Sequence, residues 1–233
     1  MDLNGAKILV TGGSLGIGKA TAKVLVDSGA SVAITGRDTA RLEKAAKETG
    51  SFPITADVAK PDNVDRTYER FLAEFDGLDC LINNAGIGIF KTIDDTTYSD
   101  FEDVFTVNVY GAALMATRAA AIFKKQNRGN IVNIGSTAAE KGFERGTIYA
   151  ASKFALRGMT QCWQAELRRH NVRVFLIDPS EVATAFANPD RTEQKAAANK
   201  LTSFEIAHAI KSVLEMDDRG MIPELAVWAT NPW

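Results

Sequence analysis

The sequence predicts an α/β fold, a parallel sheet wound with helices, and three observations carry that reading. Short apolar, β-branched runs alternate with segments whose apolar residues recur at helical spacing, from residue 7 onward. The first run, 7–11, passes directly into a turn holding Gly12, Gly16 and Gly18 and then into a helical segment. Small, amide and hydroxyl residues gather where strands end, the place at which open α/β sheets receive ligands. At 233 residues the chain can bury a substantial core, and with 45% hydrophobic and 24% charged residues its composition is that of an ordinary soluble protein. A net charge of −2 gives no basic footprint for nucleic acid or an anionic membrane. No apolar stretch reaches the roughly 18 residues of a spanning helix, and the N-terminal residues lack the pattern of a leader, so a cytoplasmic protein is expected. Cys80 and Cys162 lie in apolar stretches without metal-ligand spacing; buried thiols are expected, with no disulfide and no metal site.

Taken in order, strand 7–11 and the glycine turn lead into a helix that stops at Gly29. Glycines here let the backbone turn tightly and approach a phosphate, while the helix supplies free N–H groups and a positive dipole end. The spacing is GxxxGxG rather than GxGxxG, and a tight structural loop would look the same. Strand 31–35 ends at Gly36, Arg37 and Asp38. A carboxylate at such a strand end binds ribose hydroxyls, whereas an arginine accommodates a 2′-phosphate, so Arg37 favours NADP over NAD. A helix over 39–49 closes at Gly50, and strand 52–58 ends at Asp57 and Val58. Pro61 opens the next helix, and strand 78–82 runs into Asn83, Asn84, Ala85 and Gly86, a sequence also common in plain turns.

Ser99 and Glu102 have capping-box spacing and predict a long helix ending near Asn127 or Gly129, in which Asn108 reads as a surface residue. Strand 130–134 delivers Ser136 at its C-terminal end. A helix after Gly146 puts Tyr149 and Lys153 one turn apart on the same face, an ammonium beside a phenol. A neighbouring cation would draw the phenol down from its usual value of about 10 towards useful acid–base chemistry. The spacing alone describes surface neighbours equally well. Strand 172–177 leads to Asp178, Pro179, Ser180, Val182 and Thr184; a polar, alanine-rich lid with a short helix follows at about 183–203. Thr202 and Glu205 cap a further helix, and 222–228 predicts a last short strand. His170 and His208 stand alone, and the whole reads as one domain, 1–233.

Together these residues resemble the short-chain dehydrogenase/reductase superfamily over nearly the whole chain. The motifs are Thr11-Gly12-xxx-Gly16-x-Gly18, Asp57-Val58, Asn83 to Gly86, Asn108, Ser136, Tyr149-xxx-Lys153 and Pro179-xx-Val182-x-Thr184. The resemblance implies a doubly wound Rossmann-type sheet of about seven parallel strands and a catalytic set of Asn108, Ser136, Tyr149 and Lys153. It implies cofactor contacts at Gly12, Ser14, Gly16, Ile17, Gly18, Arg37, Asp57, Val58, Asn84, Ala85, Gly86, Tyr149, Lys153, Pro179, Val182 and Thr184. Asn108 would hold a relay water through a local helix distortion. The implied protein is an NADP(H)-preferring oxidoreductase, with NAD(H) less favoured, acting on a small carbonyl or alcohol substrate and assembling as a homodimer or homotetramer. A non-catalytic NADP-binding sensor on the same fold is the alternative, against which the intact Ser136, Tyr149 and Lys153 argue. The sequence departs from the family at Ser180, where glycine is usual after the proline, and at Leu15, where many NADP users carry a basic residue.

Overall fold

The computed structural model describes residues 1–186, 188, 190, 192–193, 197 and 199–231. The elements alternate as β1 (Lys7–Val10), α1 (Gly16–Asp27), β2 (Ser31–Gly36), α2 (Thr39–Thr49), β3 (Phe52–Thr55), α3 (Pro61–Phe75) and β4 (Cys80–Asn83). They continue as α4 (Tyr98–Phe105), α5 (Ala112–Gln126), β5 (Gly129–Ile134), α6 (Thr147–Leu167), β6 (Val172–Pro179), α7 (Ser203–Glu215) and β7 (Glu224–Val227). The strands form one seven-stranded sheet in the order β3-β2-β1-β4-β5-β6-β7, each pair parallel. This is the Rossmann-type α/β sheet expected from the β–α alternation.

Side chains of a strand point to opposite faces in turn, so a sheet covered on both sides needs apolar residues at consecutive positions. Ile8 and Val10 pack with Leu25 of α1, Leu42 of α2 and Ile206 of α7 on one face. Leu9, between them, packs on the other with Phe71 of α3, Met115 and Phe123 of α5 and Leu167 of α6. The strand order reverses at β1, whose neighbours are β2 and β4, and the crevice opens at the C-terminal ends of these strands.

Several elements differ from expectation. β3 stops at Thr55, so Asp57 and Val58 lie in the turn that follows, with Asp57 Oδ1 accepting the Ala59 N–H at 3.1 Å. The capping box before α4 is built by Thr97 and Asp100 rather than by Ser99 and Glu102. Both pairs satisfy the spacing, but Asp100 also receives Lys91 at 2.7 Å, a long-range partner invisible in the local pattern. The expected long helix is interrupted by a π-helical turn, Thr106–Gly111, between α4 and α5. Asn108 lies within it and is buried, not on the surface. Cys80 is buried and Cys162 is exposed on α6, so the expectation of two buried thiols holds for one of them. The region of the expected lid helix falls partly outside the described residues; Val182 and Leu201 bridge its ends, with the Ala183 N–H donating to Leu201 O at 3.0 Å. Among the described residues no helix is long and apolar enough to cross a membrane.

Candidate active site

A cleft of about 1030 Å³ runs along the C-terminal ends of the central strands. At one end the glycine turn joins β1 to α1. Gly12 has φ +66, and a Cβ there would come within 2.8 Å of Ala85 Cα, so only glycine lets the turn lie this close to the end of β4. The two segments are laced together. Thr11 Oγ1 accepts the N–H groups of Asn84 and Ala85, both at 3.0 Å, and the Asn84 amide donates to Thr11 O at 2.9 Å and Gly12 O at 3.1 Å. Gly12, Ser14, Gly16 and Ile17 line the cleft, as expected. Gly18 is outside the lining: a Cβ on it would strike the Asn84 amide and Gly12 O, so its role here is to let α1 pack against the turn.

The cradle is built for an anion. The Gly16 N–H, at the start of α1, donates to Glu193 Oε1 at 3.0 Å, so a carboxylate occupies the place a phosphate oxygen would take. Thr184 lies over the same turn, within van der Waals reach of a Cβ on Gly16. A nicotinamide dinucleotide therefore fits this end by the chemistry of its donor set.

At the end of β2, Arg37, Asp38 and Arg41 line the cleft. Asp38 caps α2, accepting the Arg41 N–H at 3.0 Å, and pairs with the Arg41 guanidinium at 2.9 Å. These contacts hold its carboxyl below the usual carboxylate value, the backbone hydrogen bond from Arg41 first. Asp38 is thereby engaged by the protein itself, and Arg37 and Arg41 both border this end of the cleft. A Cβ at Gly36 would come within 3.3 Å of Leu42 and 3.4 Å of the Ser14 hydroxyl, so the strand end packs closely against the glycine turn.

At the other end of the cleft β5 delivers Ser136, whose hydroxyl accepts the Ala138 N–H at 3.1 Å and lines the cleft together with the Tyr149 phenol. α6 begins at Thr147, so Tyr149 stands in its first turn and Lys153 one turn further along. Lys153 is buried, donates to Ile134 O at 2.8 Å and lies 5.6 Å from the centre of the Tyr149 ring. Tyr149 and Lys153 are thus clustered with Ser136 rather than displayed on the surface. Burial pushes the Tyr149 phenol up to about 12, opposed by the nearby Ser136 hydroxyl and reinforced by Asp178. That is opposite to the lowering expected from Lys153, because desolvation of the phenolate outweighs the neighbouring cation. Burial also lowers Lys153 to about 8, against the attraction of Asp178.

Asn108 does not line the cleft. Its amide donates to Ile87 O at 2.9 Å and Ser152 Oγ at 3.0 Å, and its Oδ1 accepts the Ile87 N–H at 2.9 Å. Ser152 in turn donates to Tyr149 O at 2.7 Å. The π turn therefore carries an amide that fastens the loop after β4 to the helix bearing Tyr149 and Lys153. Asp57, Val58, Arg37, Asn84, Ala85, Gly86, Pro179, Val182 and Thr184 all border the cleft.

Two residues escaped the sequence reading. Arg41 lies on a helix face, where an arginine reads as solvated. Asp178, at the end of β6, is fully buried; its Oδ1 accepts the Ser136 N–H at 2.8 Å, while its Oδ2 has no partner among the described residues. Burial raises Asp178 to about 6, with Glu224 and Glu140 adding to the rise and the Ser136 N–H and Arg157 opposing it. Arg157 bridges Glu224 and the Ala139 carbonyl nearby. The signal for Asp178 in the sequence was a carboxylate one residue before a strand-ending proline.

Residues 6–195 match the short chain dehydrogenase family. The chain belongs to that family. It is an NAD(P)-dependent oxidoreductase of CH–OH and C=O groups. Among curated relatives, L-xylulose reductase from Caenorhabditis elegans is 34% identical over 225 residues, covering 91% of this chain and 88% of that protein. Among solved structures, an alcohol dehydrogenase from the archaeon Thermococcus sibiricus complexed with 5-hydroxy-NADP superposes with a TM-score of 0.88 at 26% identity, covering 96% of each chain. The 3-ketoacyl-(acyl-carrier-protein) reductase from Brucella melitensis complexed with NADH gives 0.88 at 27% identity, covering 99% of this chain and 100% of that one. The neighbours thus bind either nicotinamide cofactor, and their substrates differ widely.

Proposed function

We propose that this short-chain dehydrogenase is an NADP-preferring reductase that transfers hydride reversibly between nicotinamide and a carbonyl or secondary alcohol, with Tyr149 as general acid and base. The observation that carries the reading is the cluster of Ser136, Tyr149 and Lys153 at the floor of the cleft. The bound nicotinamide supplies or accepts the hydride. Ser136 and Tyr149 hydrogen-bond the substrate oxygen where negative charge develops during reduction. A phenol held at about 12 keeps its proton at neutral pH and delivers it as the alkoxide forms. Lys153, at about 8 and so mostly an ammonium at pH 7, binds the nicotinamide ribose and steadies the phenolate left behind. Asn108, with water, is assigned the return of protons from solvent.

Gly12, Ser14, Gly16 and Ile17 hold the pyrophosphate end, Asp57 and Val58 the adenine, Asn84 to Gly86 the adenosine ribose region, and Pro179, Val182 and Thr184 the nicotinamide amide. The preference for NADP rests on Arg37 and Arg41 beside an Asp38 already engaged by its own helix. A homodimer or homotetramer is the assembly we assign. A bare sensor is the poorer reading, since binding alone has no use for a proton donor placed beside a lysine.

The experiment is a comparison of NADPH and NADH oxidation with a panel of ketones and aldehydes. The native chain should favour NADPH, and Arg37→Ala with Arg41→Ala should erode the NADPH/NADH ratio of kcat/KM by about 10- to 100-fold, the loss of one or two charge-assisted phosphate contacts. An unchanged ratio contradicts the cofactor assignment.

A further inference from the structure

Over the catalytic hydroxyls the cleft is walled by aromatic rings that none of the cofactor or proton-transfer assignments uses. Phe90, in the loop after β4, lies 5.4 Å from the Tyr149 ring centre, and Phe186, after β6, lies 5.6 Å from it. Phe143, in the loop before α6, lies 6.1 Å from Phe90 and is 49% exposed at the mouth. All three line the cleft.

These rings are seated, not loosely placed. A Cβ on Gly88 would come within 2.8 Å of both Phe90 and Phe186, and one on Gly146 within 2.5 Å of Phe143, so each ring lies close against a glycine. The loops carrying Phe90 and Phe143 are tied together: the Lys91 N–H donates to Arg145 O at 3.1 Å and the Arg145 guanidinium to Phe90 O at 3.4 Å. Lys91 in turn pairs with Asp100 of α4.

Among the described residues the polar groups at this end are few, and they include the Thr137 and Ser180 hydroxyls. Ser136 and Tyr149 serve the reacting oxygen, and Lys153 is turned to Ile134 O. The other charged side chains at this end of the lining are Glu140, Lys141 and Glu181, all exposed, and Glu181 is paired with Lys200 at 2.7 Å. Among the described residues such a wall offers no buried cation for a carboxylate and few donors for a polyol, whereas its three phenyl rings border the cleft and give a ligand ring apolar faces and edges to pack on.

We propose that Phe90, Phe143 and Phe186 form an aromatic recess that selects carbonyl compounds bearing an uncharged ring, aromatic or alicyclic, next to the carbonyl; this rests on the reductase reading above. Hydride goes to the carbonyl carbon from NADPH and the proton to its oxygen from Tyr149, so the product is the ring-substituted secondary or benzylic alcohol.

The test measures NADPH-dependent kcat/KM for acetophenone, 2-butanone, 2-oxobutanoate and dihydroxyacetone with the native chain and with Phe90→Ala, Phe186→Ala and Phe143→Ala. Acetophenone should lead 2-butanone by at least about tenfold, and each substitution should shrink that ratio, by about tenfold for Phe90 and Phe186. The ratio is taken within one preparation, so any loss of folded protein cancels. Phe143→Ala, at an exposed position, gives a variant whose folding is not at stake. A lead for the oxo acid or the ketose, or a ratio indifferent to all three substitutions, overturns the recess while leaving the reductase standing. Reduction of none of the four by a chain that binds NADPH overturns the reductase reading and the recess with it.

Discussion

Asp178 shows how much of the site's electrostatics is set by one residue. Its carboxyl sits fully buried behind Ser136, holding that residue's N–H and adding negative charge beside Tyr149 and Lys153. Asp178→Asn keeps an acceptor for the Ser136 N–H and removes the charge, so the Tyr149 phenol should ionise more readily. In the alcohol-oxidising direction, which needs the phenolate, the pH–rate profile should rise at lower pH than in the native chain. Stability carries a second sign. Asp178 is raised to about 6 from an ordinary 3.8, so the folded state holds its proton more tightly; the associated stability is present below about 4 and is lost as pH climbs through 6. The Asn variant should show a flatter pH dependence of urea midpoint across that window; an unshifted rate profile and an unchanged pH dependence of midpoint together would contradict the role. Neither effect was legible in the sequence, where Asp178 is one more strand-end carboxylate. The direction of the Tyr149 shift was likewise misread, because residue spacing gives the neighbouring lysine but not the burial that outweighs it. Arg37 could be read from the sequence as a candidate selector, which the NADPH/NADH comparison tests; Arg41 could not, since only the fold brings it to the cleft beside Asp38.

At the scale of elements, α6 is positioned over the sheet by a buried polar ladder. Asn83 of β4 donates to Asn133 Oδ1 of β5 at 3.0 Å and to Ala112 O at 3.2 Å, and Asn133 donates to Thr160 Oγ1 of α6 at 2.8 Å. Buried amides of this kind are costly when left without partners, so they fix one register of helix on sheet. Asn133→Leu removes one acceptor from the Asn83 amide and the donor to Thr160 Oγ1, leaving them only Ala112 O and Leu156 O, and should cost about 1–3 kcal/mol in urea unfolding; a change within a few tenths of a kcal/mol would show that the ladder is not holding the helix. Strand and helix positions were largely readable from periodicity and from the Gly29, Gly50 and Pro61 boundaries. The capping box was placed two residues late because Asp100 owes its choice to Lys91, nine residues upstream. The π turn could be expected only from the family likeness. Nothing in the local sequence says that Asn108 will bond the Ile87 backbone and open the helix by one residue.

At the scale of the whole molecule, the parallel order of the sheet makes the crevice at β1 and β4 the one place where the glycine turn, the Asn84 loop, Ser136 and the Tyr149 helix can meet. Four stretches far apart in sequence build one cleft, and that convergence was readable because three of them fall at a strand's C-terminal end and the fourth, in α6, follows β5. Its walls were less so, since the partners of Phe90, Phe143 and Phe186 depend on loop conformation. A ligand that binds only the folded chain stabilises it by mass action. NADPH at 100 times its Kd should contribute about 2.7 kcal/mol and raise Tm by about 5–10 °C in a chain of this size. A smaller rise with NADH at the same concentration is expected from Arg37 and Arg41; equal shifts would speak against the preference. The proton-transfer role of Tyr149 is the claim on which the rest depends, and Tyr149→Phe tests it most directly, because it deletes one hydroxyl from a ring that stays packed between Phe90 and Phe186. With a carbonyl that the native chain reduces, NADPH binding should persist while single-turnover oxidation slows by about 10²- to 10⁴-fold; turnover near the native rate would contradict the mechanism.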